Sequence, residues 1–486
     1  MSQPRVVMTS PVQPIGGCSA NVYSWDKSPA RVRVAMSFLS HPGLAFLGAN
    51  AGCEVLEYPD AAAFARLLAD PPEILGLSFY INETEIALRM AEQARRAGVR
   101  EVWAGNYGAY SPQVRGAFDR VFEGWAESAV AVALGRPAVP VEGLRHPPLY
   151  GAIGTNLFPR MVLSGLMFSS RGCPFTCSFC QTPDFYGRPV PVPLEELERV
   201  AWTYRRQGIQ GVNLLDENFG TFPGHANAVV DILHRHGLRW IALTRVDTLL
   251  RHFDEWSAKG LFGAHLGIES LNEASLQGAS KRIQGTDSVR LLERMGRSNM
   301  FVQCFYILGF EEDTVESVRS DVERLAALDV DVVQVQVLTP YPRTGQRAQI
   351  EARYGIHDRN LSHYNSRNLV WGHPHISPAE MRSLQRWANA RLSSSRRALR
   401  TLAKFAVFGG RARPGLEGLR LALRPFRGPA RRTHDGLASR LRAARAWTRR
   451  GWYAYEEFAS TEALTARDAP AEGTPPPSAR GERAWA

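Results

Sequence analysis

Cysteine is scarce in this chain, with six in 486 residues. Cys18, Cys53 and Cys304 are scattered singly, which excludes a disulfide framework and points to a reducing compartment. Long apolar runs are missing as well. No stretch approaches the ~18 apolar residues of a membrane-spanning helix. The opening Met1-Ser2-Gln3-Pro4-Arg5-Val6-Val7-Met8 lacks the apolar core of a secretory signal, so the expectation is a cytoplasmic protein. Acidic residues nearly vanish from one region. Between Arg391 and Arg450 only Glu417 and Asp435 are acidic, against a net charge of +11 for the whole chain. The rest is close to neutral. Such a segment suits nucleic acid, an anionic lipid surface or an acidic partner; the plainer reading is an arginine-rich solvated helical face. The end of the chain, 461–486, is rich in Pro, Gly, Ala and charge from Ala469 on and reads as a disordered tail.

The other three cysteines stand together. Arg171-Gly172-Cys173-Pro174-Phe175-Thr176-Cys177-Ser178-Phe179-Cys180 has the spacing Cys-x3-Cys-x2-Cys. Thiolates this close can bind three corners of a cubane iron–sulfur cluster. A cluster held by three cysteines leaves one iron open to a small molecule, which favours chemistry over electron storage. Structural zinc demands a closed set of four ligands, usually two paired knuckles. No second knuckle follows, and His225, His234 and His236 lie in a helical stretch without finger spacing. Cys173, Cys177 and Cys180 are therefore the candidate metal ligands.

The pattern around them is α/β. Residues 1–137 alternate short apolar strands, Arg5–Thr9, Gly52–Tyr58, Glu73–Phe79 and Glu101–Gly105, with helices such as the one carrying Ile86, Met90 and Ala94. That beat implies a parallel sheet with ligands at the strand carboxyl ends. Prolines punctuate 138–160, which reads as a linker. Residues 161–345 contain six strand–helix units, with strands at Met161–Phe168, Gly211–Asp216, Arg239–Thr244, Gly263–Ile268, Phe301–Leu308 and Asp331–Leu338. Six units fit a partial (βα)6 barrel whose site lies at the strand carboxyl ends. The cysteine loop follows the first of these strands. A helix after Asp313 carries Val315, Val318, Val322, Leu325 and Leu328 on one stripe, with Asp313 as the expected cap. Residues 346–460 read as helical and basic. Ser377-Pro378-Ala379-Glu380 is a helix start, and Gly409-Gly410 and Pro414-Gly415 are breaks.

Polar residues recur at the ends of the barrel strands. Asp216 and Glu217 end the second, Arg245 the third, Glu269 and Ser270 the fourth, and Gly309 the fifth. Each alone is equally a helix cap or a surface group. Their order, all after the cysteine loop, is more specific. Cys304 and Tyr306 share one face of the fifth strand, as core or as cavity wall.

The cysteine loop resembles the signature of the radical S-adenosylmethionine (SAM) superfamily. There the open iron chelates the amino and carboxylate groups of SAM, and one electron from a [4Fe–4S] cluster cleaves SAM to a 5′-deoxyadenosyl radical. Leu214-Leu215-Asp216-Glu217-Asn218-Phe219, Thr244-Arg245-Val246-Asp247, Gly267-Ile268-Glu269-Ser270, Ile307-Leu308-Gly309-Phe310 and Thr339-Pro340-Tyr341-Pro342 resemble marks of one branch, which carries an N-terminal cobalamin-binding domain. The resemblance covers roughly residues 5–400. It implies that Asp216, Glu217, Arg245, Glu269, Ser270 and Gly309 surround SAM, with Phe179 against its adenine. Gly76-Leu77-Ser78, Ala104-Gly105 and Glu123-Gly124-Trp125-Ala126-Glu127 resemble the branch's cobalamin-domain marks, which implies Ser78, Gly105, Gly124 and Glu127 as cobalamin contacts. The motif Asp-x-His-x-x-Gly, which supplies a histidine beneath cobalt, is absent. The nearest string is Ser40-His41-Pro42-Gly43. The resemblance then implies cobalamin without a protein histidine ligand.

The implied fold is a Rossmann-like cobalamin-binding-type domain, a partial radical SAM barrel and a C-terminal helical region. The implied activity is cobalamin-dependent C-methylation of an unactivated carbon in a small molecule or lipid-like metabolite. An electron donor such as flavodoxin or ferredoxin is implied with it. The alternatives are radical SAM cyclisation, oxidation or rearrangement without methyl transfer, a tRNA methylthiotransferase, and a non-enzymatic metal-binding nucleic-acid protein. Methylthiotransferases resemble the barrel but carry three further N-terminal cysteines, where this chain has only Cys18 and Cys53. No side chain is assigned a catalytic role, and nucleic acid is not the expected partner.

Overall fold

The computed structural model describes residues 4–19, 34–155, 162–408 and 431–450. Its strands in chain order begin β1 (Val6–Thr9), β2 (Val34–Phe38), β3 (Glu54–Leu56), β4 (Ile74–Ser78), β5 (Glu101–Gly105) and β6 (Arg120–Val121). Then come β7 (Leu149–Thr155), β8 (Val162–Met167), β9 (Ser170–Arg171), β10 (Val190–Pro191) and β11 (Gly211–Leu214). The last are β12 (Arg239–Thr244), β13 (Leu261–Glu269), β14 (Phe301–Leu308) and β15 (Val332–Val337).

The first sheet is parallel throughout, in the order β3-β1-β4-β5-β6. Its central strands β1, β4 and β5 are buried on both faces, and the edge strands β3 and β6 are more exposed. Val7, Leu75, Leu77 and Val102 enter one core, while Val6, Met8, Ile74 and Trp103 enter another on the opposite side. Alternate residues serve opposite faces, so a doubly covered strand has to be apolar throughout. Gly76 makes room for Met8, whose sulfur would lie 2.0 Å from any Cβ there.

The second sheet has the order β15-β14-β13-β12-β11-β8-β7-β2. The run from β8 to β15 is parallel and curls into a half-barrel. These strands match the six anticipated from the strand–helix beat. The remaining two differ from expectation. β7 lies inside the stretch read as linker, and β2 inside the first α/β unit, yet both join the barrel sheet, β7 antiparallel to β8 and β2 antiparallel to β7. The prolines around β7, Pro147, Pro148 and Pro159, made this stretch read as a linker. Gly151 lies against Leu166, with that side chain 2.9 Å from where a Cβ would be, so it serves close packing across strands.

One helix cap departs from expectation. Thr314, not Asp313, caps the helix Val315–Ala327, in a box with Ser317. Asp313 instead accepts from Gly309 N–H at 2.9 Å, Phe310 N–H at 3.0 Å and Ser275 Oγ at 2.7 Å. The expected start at Ser377 holds, with Ser377 capping Glu380 N–H and Pro378 in the first turn. The breaks at Gly409-Gly410 and Pro414-Gly415 and the tail fall outside the described residues.

The helix Ser395–Phe408 crosses the amino-terminal end of the barrel. Phe405 and Phe408 pack with Phe262, Phe301 and Val332 at the strand starts. Several of the scarce-acid segment's arginines are spent here. Arg391 pairs with Glu323 at 2.8 Å, and Arg397 donates to Ala326 O at 2.6 Å. Arg400 reaches Asp331 at 3.3 Å. Further on, Arg440 of the helix Arg431–Arg450 binds Leu39 O at 2.6 Å and pairs with Glu57. No helix among the described residues is long and apolar enough to cross a membrane.

Candidate functional site

The cysteine loop leaves β8 and is fixed at its base by two carboxylates at the end of β11. Asp216 is fully buried and accepts four hydrogen bonds, from the backbone N–H groups of Ser169 (2.7 Å) and Ser170 (2.8 Å) and from both hydroxyls. Glu217 accepts from Gly172 N–H at 2.8 Å. Gly172 has φ +92 and no room for a side chain, since a Cβ would lie 3.0 Å from Arg188 O and from Pro189 Cα. Farther along, Ser178 N–H donates to Ala279 O, and Ser178 O accepts from Gln346 N–H, both at 3.0 Å. Gln181 donates to Pro342 O at 2.8 Å. The loop is thus stitched to the ends of several barrel strands.

Burial pushes the three thiols up, Cys173 to about 11. Binding a cationic metal there must displace protons. Among the described residues no three His, Cys, Asp or Glu side chains converge on one ion.

Around the barrel mouth, Glu269 adopts φ +61 at a register shift between β13 and β14. It forms a buried ion pair with Lys281 at 2.8 Å. Arg245 lies over the Phe175 ring of the cysteine loop, 3.9 Å from its centroid. Its guanidinium also donates to Lys281 O (2.9 Å), Arg282 O (3.1 Å) and Asp247 (2.9 Å). A cavity of ≈ 320 Å³ opens here, lined by Phe179, Glu269, Ile307, Gln334 and Gln336 among others. Phe179 meets Phe310 edge to face, with centroids 6.1 Å apart.

A second cavity of ≈ 360 Å³ lies between the carboxyl edges of the two sheets. The N-terminal unit contributes Ser10, His41, Ser78 and Glu127; the barrel contributes Phe168, Glu217, His265 and Gln303. Leu243 and Phe305 line both cavities. His41 is buried, and desolvation lowers its pKa to about 4, so it is neutral near pH 7. Its Nδ1 accepts Leu44 N–H at 3.3 Å as a helix cap. The neutral ring then carries its proton on Nε2 and keeps no free lone pair for a metal.

The family described as Radical SAM superfamily matches residues 167–325. Those residues form a radical SAM domain. The chain is similar to an uncharacterized methyltransferase of Pyrococcus horikoshii, 30% identical over 37% of this chain and 40% of that one. It is similar to the hopanoid C-3 methylase of Methylococcus capsulatus, 30% identical over 36% of this chain and 34% of that one. The matched stretch therefore spans 40% or less of these relatives' lengths. The radical SAM methyltransferase TsrM from Kitasatospora setae, solved with cobalamin and a [4Fe-4S] cluster bound, shares the fold at a TM-score of 0.55. That likeness covers 73% of this chain and 78% of TsrM at 17% identity.

The structure sorts the residues expected to surround SAM. Glu269 and Phe179 line the cavity at the barrel mouth, and Glu217 lines the interdomain one. Asp216 differs from expectation. Its Oδ2 takes three of the four loop donors and its Oδ1 the fourth. Asp216 shapes the loop base and lines neither cavity. Ser270 donates its hydroxyl to Asp321 at 3.1 Å, and Gly309 gives its N–H to Asp313. Both serve the wall from behind. Of the expected cobalamin residues, Ser78, Gly124 and Glu127 line the interdomain cavity. Gly105 ends β5, with Phe122 O 3.7 Å from where its Cβ would be. Cys304 and Tyr306 pack into the helix-facing core.

Sequence reasoning missed a polar floor in the half-barrel. His265 Nδ1 meets Gln303 Oε1 at 2.7 Å, and Gln303 donates to Gln334 at 3.3 Å. The signal was available as single polar residues inside otherwise apolar parallel strands. Burial lowers His265 to about 4, so this floor carries no charge.

Glu269→Gln is expected to weaken SAM binding about tenfold, with iron content unchanged. The charge-assisted contact to an ammonium would be lost while the cysteine loop keeps its carboxylates. Equilibrium dialysis with labelled SAM on iron-loaded protein tests this, and undiminished binding would remove Glu269 from the SAM site.

Proposed function

We propose that this protein is a cobalamin-dependent radical SAM enzyme of the cytoplasm, a C-methyltransferase acting on an unactivated carbon of a small molecule or lipid-like metabolite. One observation carries the reading. The interdomain cavity is walled jointly by the carboxyl edge of the N-terminal parallel sheet and by the barrel mouth beside the cysteine loop. Ligands of parallel α/β sheets and of βα barrels bind at those edges. Both sites here share one space.

The residues suit the groups the reading requires. Cys173, Cys177 and Cys180 would hold three irons of a [4Fe–4S] cluster. Glu269 would accept the SAM ammonium, and Phe179 with Phe310 would flank the adenine. Glu127 lines the interdomain cavity with one buried oxygen, Oε2, that has no partner, as a site awaiting a donor from cobalamin's amide side chains would have. His41 offers an N–H rather than a lone pair, which suits cobalamin without a histidine beneath cobalt. When bound, the cluster with SAM supplies a carbon-centred radical chemistry and cobalamin supplies the methyl group. The chain's own task is to exclude water and align the substrate carbon. Leu243 and Phe305, common to both cavities, form the apolar wall that does so. The uncharged floor of His265, Gln303 and Gln334 suits neutral hydrogen-bonding groups on the substrate. Flavodoxin or ferredoxin would supply the electron. Contact of the basic C-terminal region with an anionic membrane surface would use arginines other than those paired internally.

Anaerobically reconstituted protein is expected to retain hydroxocobalamin through gel filtration, with visible absorption in stoichiometric amount. Its paramagnetic cobalt(II) form should show no nitrogen splitting from a histidine. Protein that cleaves SAM yet retains no corrin would favour cyclisation, oxidation or rearrangement over methyl transfer.

A further inference from the structure

The segment Glu123–Glu127 was expected to meet cobalamin. In the structure it grips both ends of the cysteine loop from the neighbouring unit. At the near end, Glu127, in the first turn of the helix Ala126–Ala133, pairs with Arg171, two residues before Cys173. Both side chains are buried, at 2% and 9% exposure. The Arg171 guanidinium is enclosed by rings, 4.8 Å from the centroids of Phe46 and Trp125 and 5.5 Å from that of Tyr186. At the far end, Trp125 Nε1 donates to Tyr186 O at 2.9 Å. Gly124, at φ +70, lies so close to Phe185 that a Cβ would sit 2.5 Å from its carbonyl oxygen. Tyr107 adds a ring contact to Phe185 at 4.3 Å.

We propose that Glu127 is a positioning residue for the iron–sulfur cluster, acting through Arg171, and that this five-residue segment is an interdomain clamp on the cysteine loop. A guanidinium buried among rings needs a carboxylate in a fixed place. Fixing Arg171 fixes β9, which pairs with β10 beyond the loop. Gly172 N–H is held at the same time by Glu217. The loop's two stems are therefore set by a unit that supplies no cysteine to it. The arrangement also links the two sites, because the same carboxylate lines the interdomain cavity. The inference rests on the cluster part of the proposed function.

The test compares Glu127→Gln with wild type, using iron titration under anaerobic conditions and the resonance spectrum of the dithionite-reduced cluster. The expected result is an apparent iron affinity lower by about tenfold or more, with an altered spectrum. Hydroxocobalamin retention is measured separately in a background with Cys173, Cys177 and Cys180 all replaced by alanine, where any loss on Glu127→Gln reports its corrin contact apart from the clamp. Wild-type iron affinity and spectrum in Glu127→Gln would overturn the proposal. So would loss of corrin retention with iron binding intact, which would make Glu127 a corrin contact only. Should Glu127→Gln fail to fold, Trp125→Phe removes the Tyr186 hydrogen bond from the same clamp. Reduced iron affinity in that variant supports the clamp, and unchanged affinity overturns it. A wild type that binds no corrin would defeat the methyltransferase reading and leave the iron result standing.

Discussion

Replacing Cys173, Cys177 and Cys180 together by alanine is expected to abolish bound iron–sulfur absorption and reductive SAM cleavage, while the chain still folds. The thiols lie in a loop whose shape is held by other groups. Asp216 holds Ser169 and Ser170, Glu217 holds Gly172, and Gln181 holds Pro342 O. None of these bonds uses sulfur, so removing the sulfurs should cost chemistry rather than fold. The other cysteines give the control. Cys18, Cys53 and Cys304 are buried in apolar cores away from the loop. Replacing Cys18 or Cys53 should leave iron content at the wild-type level. Iron analysis, optical absorption and detection of 5′-deoxyadenosine decide the matter. A triple variant that keeps the absorption and the cleavage would end the cluster assignment.

Lys404→Met is expected to destabilise the protein by about 3–5 kcal/mol, the usual cost of stripping one partner from a buried ion pair. Asp331 is fully buried at the start of the last barrel strand. It accepts from Lys404 Nζ at 2.8 Å, Val302 N–H at 2.9 Å and Thr401 Oγ at 3.3 Å. Burial pushes Asp331 up and Lys404 down, each against the pull of the other's charge. Desolvation therefore outweighs attraction on both sides. The pair adds little in net stability, yet neither member can be removed alone. Arg400 remains near Asp331 in the variant and sets the effect toward the lower end. The double variant Asp331→Asn with Lys404→Met should recover much of the loss, since no buried charge is left. Denaturant unfolding of cluster-free protein measures both. A single variant as stable as wild type would mean that the helix Ser395–Phe408 does not close the barrel through this pair.

That helix shows why charge was hard to read from composition. Seventeen or so arginines and lysines against two acids suggested an outward-facing surface. Arg391, Arg397, Arg400 and Lys404 instead turn toward acids and carbonyls contributed by residues some 70 or more positions earlier, such as Asp331 and Met300. Local sequence holds no record of a partner that distant. The residues of Arg440's partner Glu57 make the same point across nearly the whole chain.

The six parallel barrel strands and the N-terminal sheet were legible because apolar runs ended by glycine or an acid mark buried strands without reference to any neighbour. The cysteine spacing was legible because three ligands from one loop need no folding partner to be recognised. What the sequence by itself determined was thus the kind of layer each segment joins and the chemistry of the loop after β8. Tertiary structure decided the rest. It placed β2 and β7 on the barrel rather than in the first unit or a linker, since strand pairing depends on which edge is open. It committed Asp216 and Ser270 to internal donors and acceptors while leaving Glu269 on the cavity wall, since at and beyond a strand end the local turn of the backbone decides which way each side chain faces. It also turned Glu127 onto Arg171, because the partner of a buried charge is chosen by proximity in space and desolvation, neither of which is written in the order of residues.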